Sequence, residues 1–300
     1  MEKPRINPYI ALTIGVISIS SSAIFVKLSS APSGALAFYR LFFSVILMLP
    51  VFLLKYVSEI RLITKRDWTL TTASGVFLAF HFILWFESLN YTSVASSTVL
   101  VTLQPLFAFA GTFIFFKERL SGKAVLSGIT AVIGSIVISW GDFKISGDAL
   151  FGDILALIAC ALITFYLLFG QTVRKRVSLI TYTFVVYTIS SITLFFYVLA
   201  TDEPLVGYDM KNWILFILLA LIPTLLGHSF LNWSIKWVSA STISVAILFE
   251  PIGATVLAFY LLEERVFWTQ VFGGIIVLAG IMIFLVDDKK LKIAVLTNNS

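Results

Sequence analysis

Of the 300 residues, 59% are hydrophobic and only 12% charged, and the mean hydropathy is +1.00. A soluble domain carries about a quarter charged residues, so this composition excludes a water-soluble fold and points to an integral membrane protein. The net charge of +5 lies in loops rather than in one basic patch, which argues against a nucleic-acid partner and for a lipid bilayer.

In chain order, apolar runs of helix length recur between short polar clusters, without alternation of period two. Spanning helices are therefore expected rather than a β-barrel. Ten spans are predicted, at 8–28, 34–55, 69–88, 93–116, 123–140, 151–170, 179–200, 213–232, 239–262 and 268–286, which leaves no room for a soluble domain. Pro4 and Arg5 form only a weak basic flank and no small-residue cleavage site precedes span two, so the first span is expected to be retained. Lys55, Arg61, Lys65, Arg66, Lys117, Arg119, Lys123, Arg174, Lys175 and Arg176 fall on the side of the N-terminus, against Lys27, Lys144, Lys211 and Arg265 on the other. The positive-inside bias places both termini in the cytoplasm, and with no organelle-targeting signal in the sequence a cytoplasmic membrane is expected. Cys160, the lone cysteine, lies within span six and is expected to be an inert apolar residue.

The second half repeats the first. Pro105 and Pro251, Glu118-Arg119 and Glu264-Arg265, Gly128 and Gly274, and Gly134 and Gly280 all share an offset of 146. The register is strong over the last two spans of each half and weak over the first three. Five spans per half is an odd number, so the second copy enters the membrane from the opposite side. The expected fold is all-α, with ten transmembrane helices in two inverted five-helix repeats, 1–145 and 146–300, forming one transport domain. Such repeats suit alternating access, but they also occur in channels, so a carrier and a passive facilitator both remain open.

At the centre of spans four and nine stand Gln104-Pro105 and Glu250-Pro251. At 1.5 Å per residue, Glu250 lies roughly 16 Å from either end of its span, near the bilayer midplane. A carboxylate there costs about 2.5 kcal/mol or more, while each proline removes an N–H donor and frees backbone groups at the same depth. Two readings follow for Glu250: a pathway or proton-coupling group, or a protonated carboxyl bonded to neighbouring backbone. Lys27, Arg40 and Glu87 fall in the outer third of spans one to three, where they either form an ion-pair gate or snorkel to the interface. His81, on one face with Trp85 and Ser88, and His228 are candidates for substrate contact, with hydrogen-bonded packing as the alternative. Ser18, Ser20, Ser21 and Ser22 read first as helix packing and second as cavity lining.

The segments LWFESLNYTSVASSTVLVTLQPLFAFAGTFIFFKERL (84–120) and LLGHSFLNWSIKWVSASTISVAILFEPIGATVLAFYLLEE (225–264), with FYR (38–40), resemble the paired signatures of the EamA family of drug/metabolite transporters. That resemblance implies secondary transport, mostly export of small metabolites such as amino acids or drugs, around a cavity lined by spans one, three, four, six, eight and nine. It carries a role to His81, Glu250, His228 and Arg40. No Walker A sequence, acidic metal cluster, G-x-S-x-G or H-E-x-x-H is present, so ATP-driven pumping and an intramembrane enzyme are both disfavoured, and no metal or cofactor is expected. The expected partners are a small solute, the bilayer and protons, in a monomer or homodimer.

Overall fold

With so few polar side chains available, the backbone must satisfy itself, and no strand occurs among the described residues. The computed structural model describes residues 7–104, 106–107, 122–143, 147–174, 176–234, 246–247, 249–280 and 282–283. Along the chain run α1 (Pro8–Leu28), α2 (Ser33–Lys55), α3 (Lys65–Tyr91), α4 (Val94–Val101), α5 (Gly122–Phe143), α6 (Ala149–Val173), α7 (Leu179–Ala200), α8 (Met210–Leu231), α9 (Glu250–Leu261) and α10 (Trp268–Gly280). Among the described residues, six of these (α1, α2, α3, α6, α7 and α8) are long and apolar enough to cross a membrane, and shorter apolar stretches lie in α5, α9 and α10. Pro105, Glu118-Arg119, the later part of expected span four and the first part of expected span nine lie outside the described residues.

Polar residues start the helices. Thr64 closes a capping box with Asp67 at the head of α3, and the side chains of Ser93, Ser178 and Asp209 each accept from the backbone N–H three residues on. Large apolar side chains such as Leu54, Ile136, Phe196, Phe259 and Trp268 are exposed, as faces turned to lipid require.

The halves interlock rather than sit side by side. At the face where α1 begins, the near face, lie the end of α2 and the starts of α3 and α7. At the opposite, far face, Glu264 after α9 accepts from the backbone N–H of Val94 at the head of α4, 2.8 Å away. This gives the repeated Glu-Arg pair a structural use in one of its two copies.

α5 and α10 cross at backbone contact. A Cβ on Gly134 would stand 2.7 Å from Val277 N and 2.8 Å from Gly273 O; one on Gly280 would stand 3.0 Å from both Ala131 N and Ser127 O. Ser127 Oγ donates to Gly280 O at 2.6 Å. Under the offset of 146 these contacts are reciprocal, since Ser127, Ala131 and Gly134 correspond to Gly273, Val277 and Gly280. As one helix is followed forward the partner is met in reverse order, so the two run antiparallel. Gly128, by contrast, meets nothing within 4 Å, and Gly274 only Val99 at 4.0 Å. Only one of the two repeated glycine pairs is therefore required by the crossing.

Filling that crossing should part the helices. Gly134→Ala is expected to destabilise the purified protein by about 1–3 kcal/mol through overpacking, whereas Gly128→Ala leaves its thermal transition unchanged or higher. Equal behaviour of the two variants in a melting experiment would contradict the packing described.

Candidate functional site

The spans bearing the two Xaa-Pro pairs are broken at matching positions. α4 ends at Val101, and the chain turns with Leu103 N–H donating to Leu100 O at 3.3 Å. At the equivalent place before α9, Phe249 N–H donates to Ala246 O at 3.0 Å, and the helix starts at Glu250. Pro251, in the first turn, sits where a missing N–H costs nothing. The close approach of α1 to this break is set by Gly253, whose Cβ would stand 2.5 Å from Ser20 Oγ; that hydroxyl also donates to Glu250 O at 3.2 Å.

Beside the break lies a cavity of about 420 Å³. Its lining brings together His81, Trp85, Gln104, His228, Glu250 and Arg40, drawn from both halves. It extends along α6 and α7 to the exposed Arg174 and the half-buried Leu179 at the near face, and its lining from α2 and α3 stops at Arg40 and Trp85 toward the far face.

Arg40 departs from expectation. Rather than reaching the far interface to pair with Glu87, its side chain is 1% exposed and turned into the bundle. Nε donates to Thr224 Oγ1 at 2.9 Å and Nη1 to Ser22 Oγ at 2.8 Å, while the guanidinium lies 4.2 Å from the centroid of Phe82. Two hydroxyls and an aromatic face replace the water that a snorkelling arginine would seek. Glu87 instead accepts from Ser33 Oγ at 2.7 Å and Asn90 Nδ2 at 3.2 Å, and Lys27 is exposed. Among the described residues no ion pair joins Lys27, Arg40 and Glu87.

The socket for Arg40 depends on irregular helices. α1 is interrupted at Ser21, and α8 widens into a π-helical stretch over Ala220–His228 around Pro223. There Thr224 Oγ1 donates to Leu219 O, five residues back, at 2.8 Å, which leaves its lone pairs to Arg40. Such widened turns often mark functional positions.

His81 Nδ1 lies 2.8 Å from Ala159 O. A carbonyl only accepts, so Nδ1 carries the proton and Nε2 is an acceptor in the neutral ring. The ring stacks on Trp85 with centroids 5.9 Å apart. Trp85 is 4% exposed, and its Nε1 is buried with no hydrogen-bond partner among the described residues. Gln104 makes one long contact, Nε2 to Val101 O at 3.5 Å. The carboxylate of Glu250 has no ion-pair or hydrogen-bond partner among the described residues, and neither does the Nη2 of Arg40. The chamber thus offers uncommitted donors at Arg40 and Trp85 and uncommitted acceptors at Glu250 and His81.

Thr224, Tyr166, Tyr182, Tyr187 and Arg174 also line the cavity and are not among the sequence candidates, while Ser22, read from the sequence first as helix packing and second as cavity lining, lines it too. For Thr224 a signal was available: it is a polar residue beside a mid-span proline, the same pattern that marks Gln104 and Glu250. Of the serine run in α1, Ser20 packs against α9 and Ser22 holds Arg40, whereas Ser18 and Ser21 bond to α1's own backbone.

Comparison with known proteins places these features in a family. An "Uncharacterized transporter YxxF" of Bacillus subtilis (strain 168) is 25% identical over 287 residues, covering 95% of this chain and 91% of its own. An "Uncharacterized transporter" of Archaeoglobus fulgidus is 23% identical over 273 residues, 91% of this chain and 94% of its own. A solved crystal structure superposes with a TM-score of 0.65 over 95% of this chain and 98% of its own, at 16% identity, which speaks for the fold. The model of the EamA-like transporter family matches twice, over residues 7–140 and 150–286. Matched in each half by the same family around a cavity that both halves line, the chain belongs to the EamA-like transporter family and is a membrane transporter, not an enzyme.

Proposed function

We propose that the protein is a secondary transporter that exports amino acids or closely related metabolites across the cytoplasmic membrane by alternating access. The observation that carries this reading is the pair Arg40 and Glu250: a cation and a carboxylate lining one cavity, not bonded to each other. A zwitterion is their complement, with its carboxylate on Arg40 and the Trp85 N–H and its ammonium on Glu250 and His81 Nε2. A guanidinium and a carboxylate lining one chamber in a bilayer are costly unless a ligand or water meets them.

Alternating access is supported by the reciprocal, antiparallel contacts of α5 and α10 and by the matched breaks before Pro251 and after Val101, which together suit two inverted five-helix repeats. With the basic loops on the cytoplasmic side, both termini are inside and the cavity, reaching Arg174 at the near face, is open to the cytoplasm. In this reading Glu250 also carries the coupled proton, binding it when the chamber faces outward and releasing it inward, in exchange for the solute.

Two outcomes are expected. In proteoliposomes an imposed pH gradient drives uphill movement of an amino acid, and Glu250→Gln abolishes accumulation while sparing solute exchange; equilibration alone in the parent protein would make it a passive facilitator. Separately, Arg40→Lys keeps the charge but loses the fork that engages Ser22, Thr224 and solute together. It should weaken solute-induced thermal stabilisation at least tenfold in apparent affinity, and Trp85→Phe should do so by a smaller factor. An amino-acid panel that raises the transition equally in parent and both variants would remove these residues from the site.

A further inference from the structure

Outside the cavity, the two faces of the bundle carry the same fastening built from equivalent elements of opposite halves. At the near face, Glu59, in the 3-10 turn Val57–Leu62 between α2 and α3, accepts from Ser178 N at 2.8 Å and Thr181 Oγ1 at 2.6 Å at the head of α7. Asp67, three residues past the cap of α3, accepts from Arg176 Nη1 at 2.7 Å, in the segment joining α6 and α7. At the far face, Glu203, between α7 and α8, accepts from Ala35 N at 2.8 Å at the head of α2. Asn212, three residues past the cap of α8, accepts from Ser29 Oγ at 2.6 Å and Ser30 N at 3.1 Å, in the segment joining α1 and α2. α2 corresponds to α7 and α3 to α8 in the repeat. Each half therefore grips the other's leading hairpin, once per face.

The chemistry of the two clasps differs. The near one contains an ion pair, and burial, which would raise the Glu59 carboxyl, is outweighed by the Thr181 and Ser178 hydrogen bonds that hold it below its ordinary range. At the far face an amide and hydroxyls replace the ion pair, and burial pushes Glu203 up.

A gate must be open at the face where the cavity is open. The cavity reaches the near face at Arg174 and Leu179, yet the near clasp, at Arg176 and Ser178 only a few residues along, is closed. The far clasp is closed as well. In an inverted repeat the other state is obtained by exchanging the conformations of the halves. The exchange swaps one closed clasp for the other, so both are closed in both states. We infer that Glu59, Asp67 with Arg176, Glu203 and Asn212 are positioning residues of the transport movement, forming two permanent pivots about which the halves rock, and that they are not gates. This rests on the alternating-access reading above.

The test uses the full-length protein with Cys160→Ala, so that introduced thiols are the only ones. Ser29→Cys with Asn212→Cys replaces two side chains in contact across the far clasp, and their disulfide locks it. A pivot predicts that oxidised protein transports at least as fast in proteoliposomes as reduced protein, in which the Asn212 bonds are missing; loss of transport on oxidation, restored by reduction, would make the clasp a gate and overturn the inference while leaving the transport reading intact. A second measurement does not depend on transport. Spin labels at the exposed Lys27→Cys and Lys211→Cys, beside the far clasp, should give one narrow separation in detergent, in lipid and with added amino acid. A second population of separations would overturn the pivot whether or not any solute is moved. If the reduced protein moves no solute but the separation stays single, the functional proposal fails and the clasps remain fixed braces of the fold.

Discussion

A guanidinium in the middle of a helical bundle that crosses a bilayer cannot be left to water, and much of this structure is arranged around that constraint at Arg40. Its Nε and Nη1 need acceptors at a depth where regular helices have none to give, because every backbone carbonyl is already used. Ser22 and Thr224 supply them at the two places where helices lose regularity, the interruption of α1 at Ser21 and the widened turn of α8 around Pro223. Phe82 closes the third side. The irregular helices, the buried cation and the cavity are therefore one feature with three aspects.

The same contacts explain why the repeat boundary is not a packing boundary. Arg40 is held from the second half by Thr224, His81 by Ala159, and Ser20 reaches the backbone of Glu250. Val94 is capped by Glu264, and Ser127 bonds to Gly280. Each of these bonds joins a residue before 145 to one after it. A half taken alone would expose the backbone and charged groups that the other half satisfies, so two similar sequences make a single membrane-embedded body whose site lies between them.

Much of this was legible in the amino-acid sequence, and what was not has a definable cause. Apolar runs announced the spanning helices, and scarce residue types in register announced the duplication. Proline beside a polar residue marked the positions where the chain breaks at Glu250, and a histidine and a tryptophan one turn apart marked two walls of the cavity. The direction of Arg40 was not legible, because depth along a helix does not say whether a long side chain turns outward to the interface or inward to a socket; that depended on Ser22 in α1 and Thr224 in α8, the second of them in the other half of the chain. Nor was the difference between the glycine pairs. Gly128 and Gly134 look alike in the repeat, and only the crossing of α5 with α10 separates the open position from the crowded one. The clasps were hidden for a related reason: Arg176 reads as an ordinary loop charge, and nothing in the sequence marks Glu59 or Asp67, until the fold brings the heads of α3 and α7 together.

Duplication gives a symmetric backbone, but the chemistry it carries here is asymmetric, and that asymmetry sets what the cavity can hold. The turn before Glu250 and the turn before Gln104 use the same backbone bond at the same repeat position, yet one presents a carboxylate and the other a neutral amide. Two carboxylates at this depth would repel one another and, with Arg40 beside them and Arg174 out at the near mouth, would leave the inner chamber net negative and suited to a cation. Two amides would leave Arg40 alone and favour an anion. One of each balances the arginine, which is what the proposed zwitterionic solute and the proposed movement of the halves ask of Arg40 and Glu250.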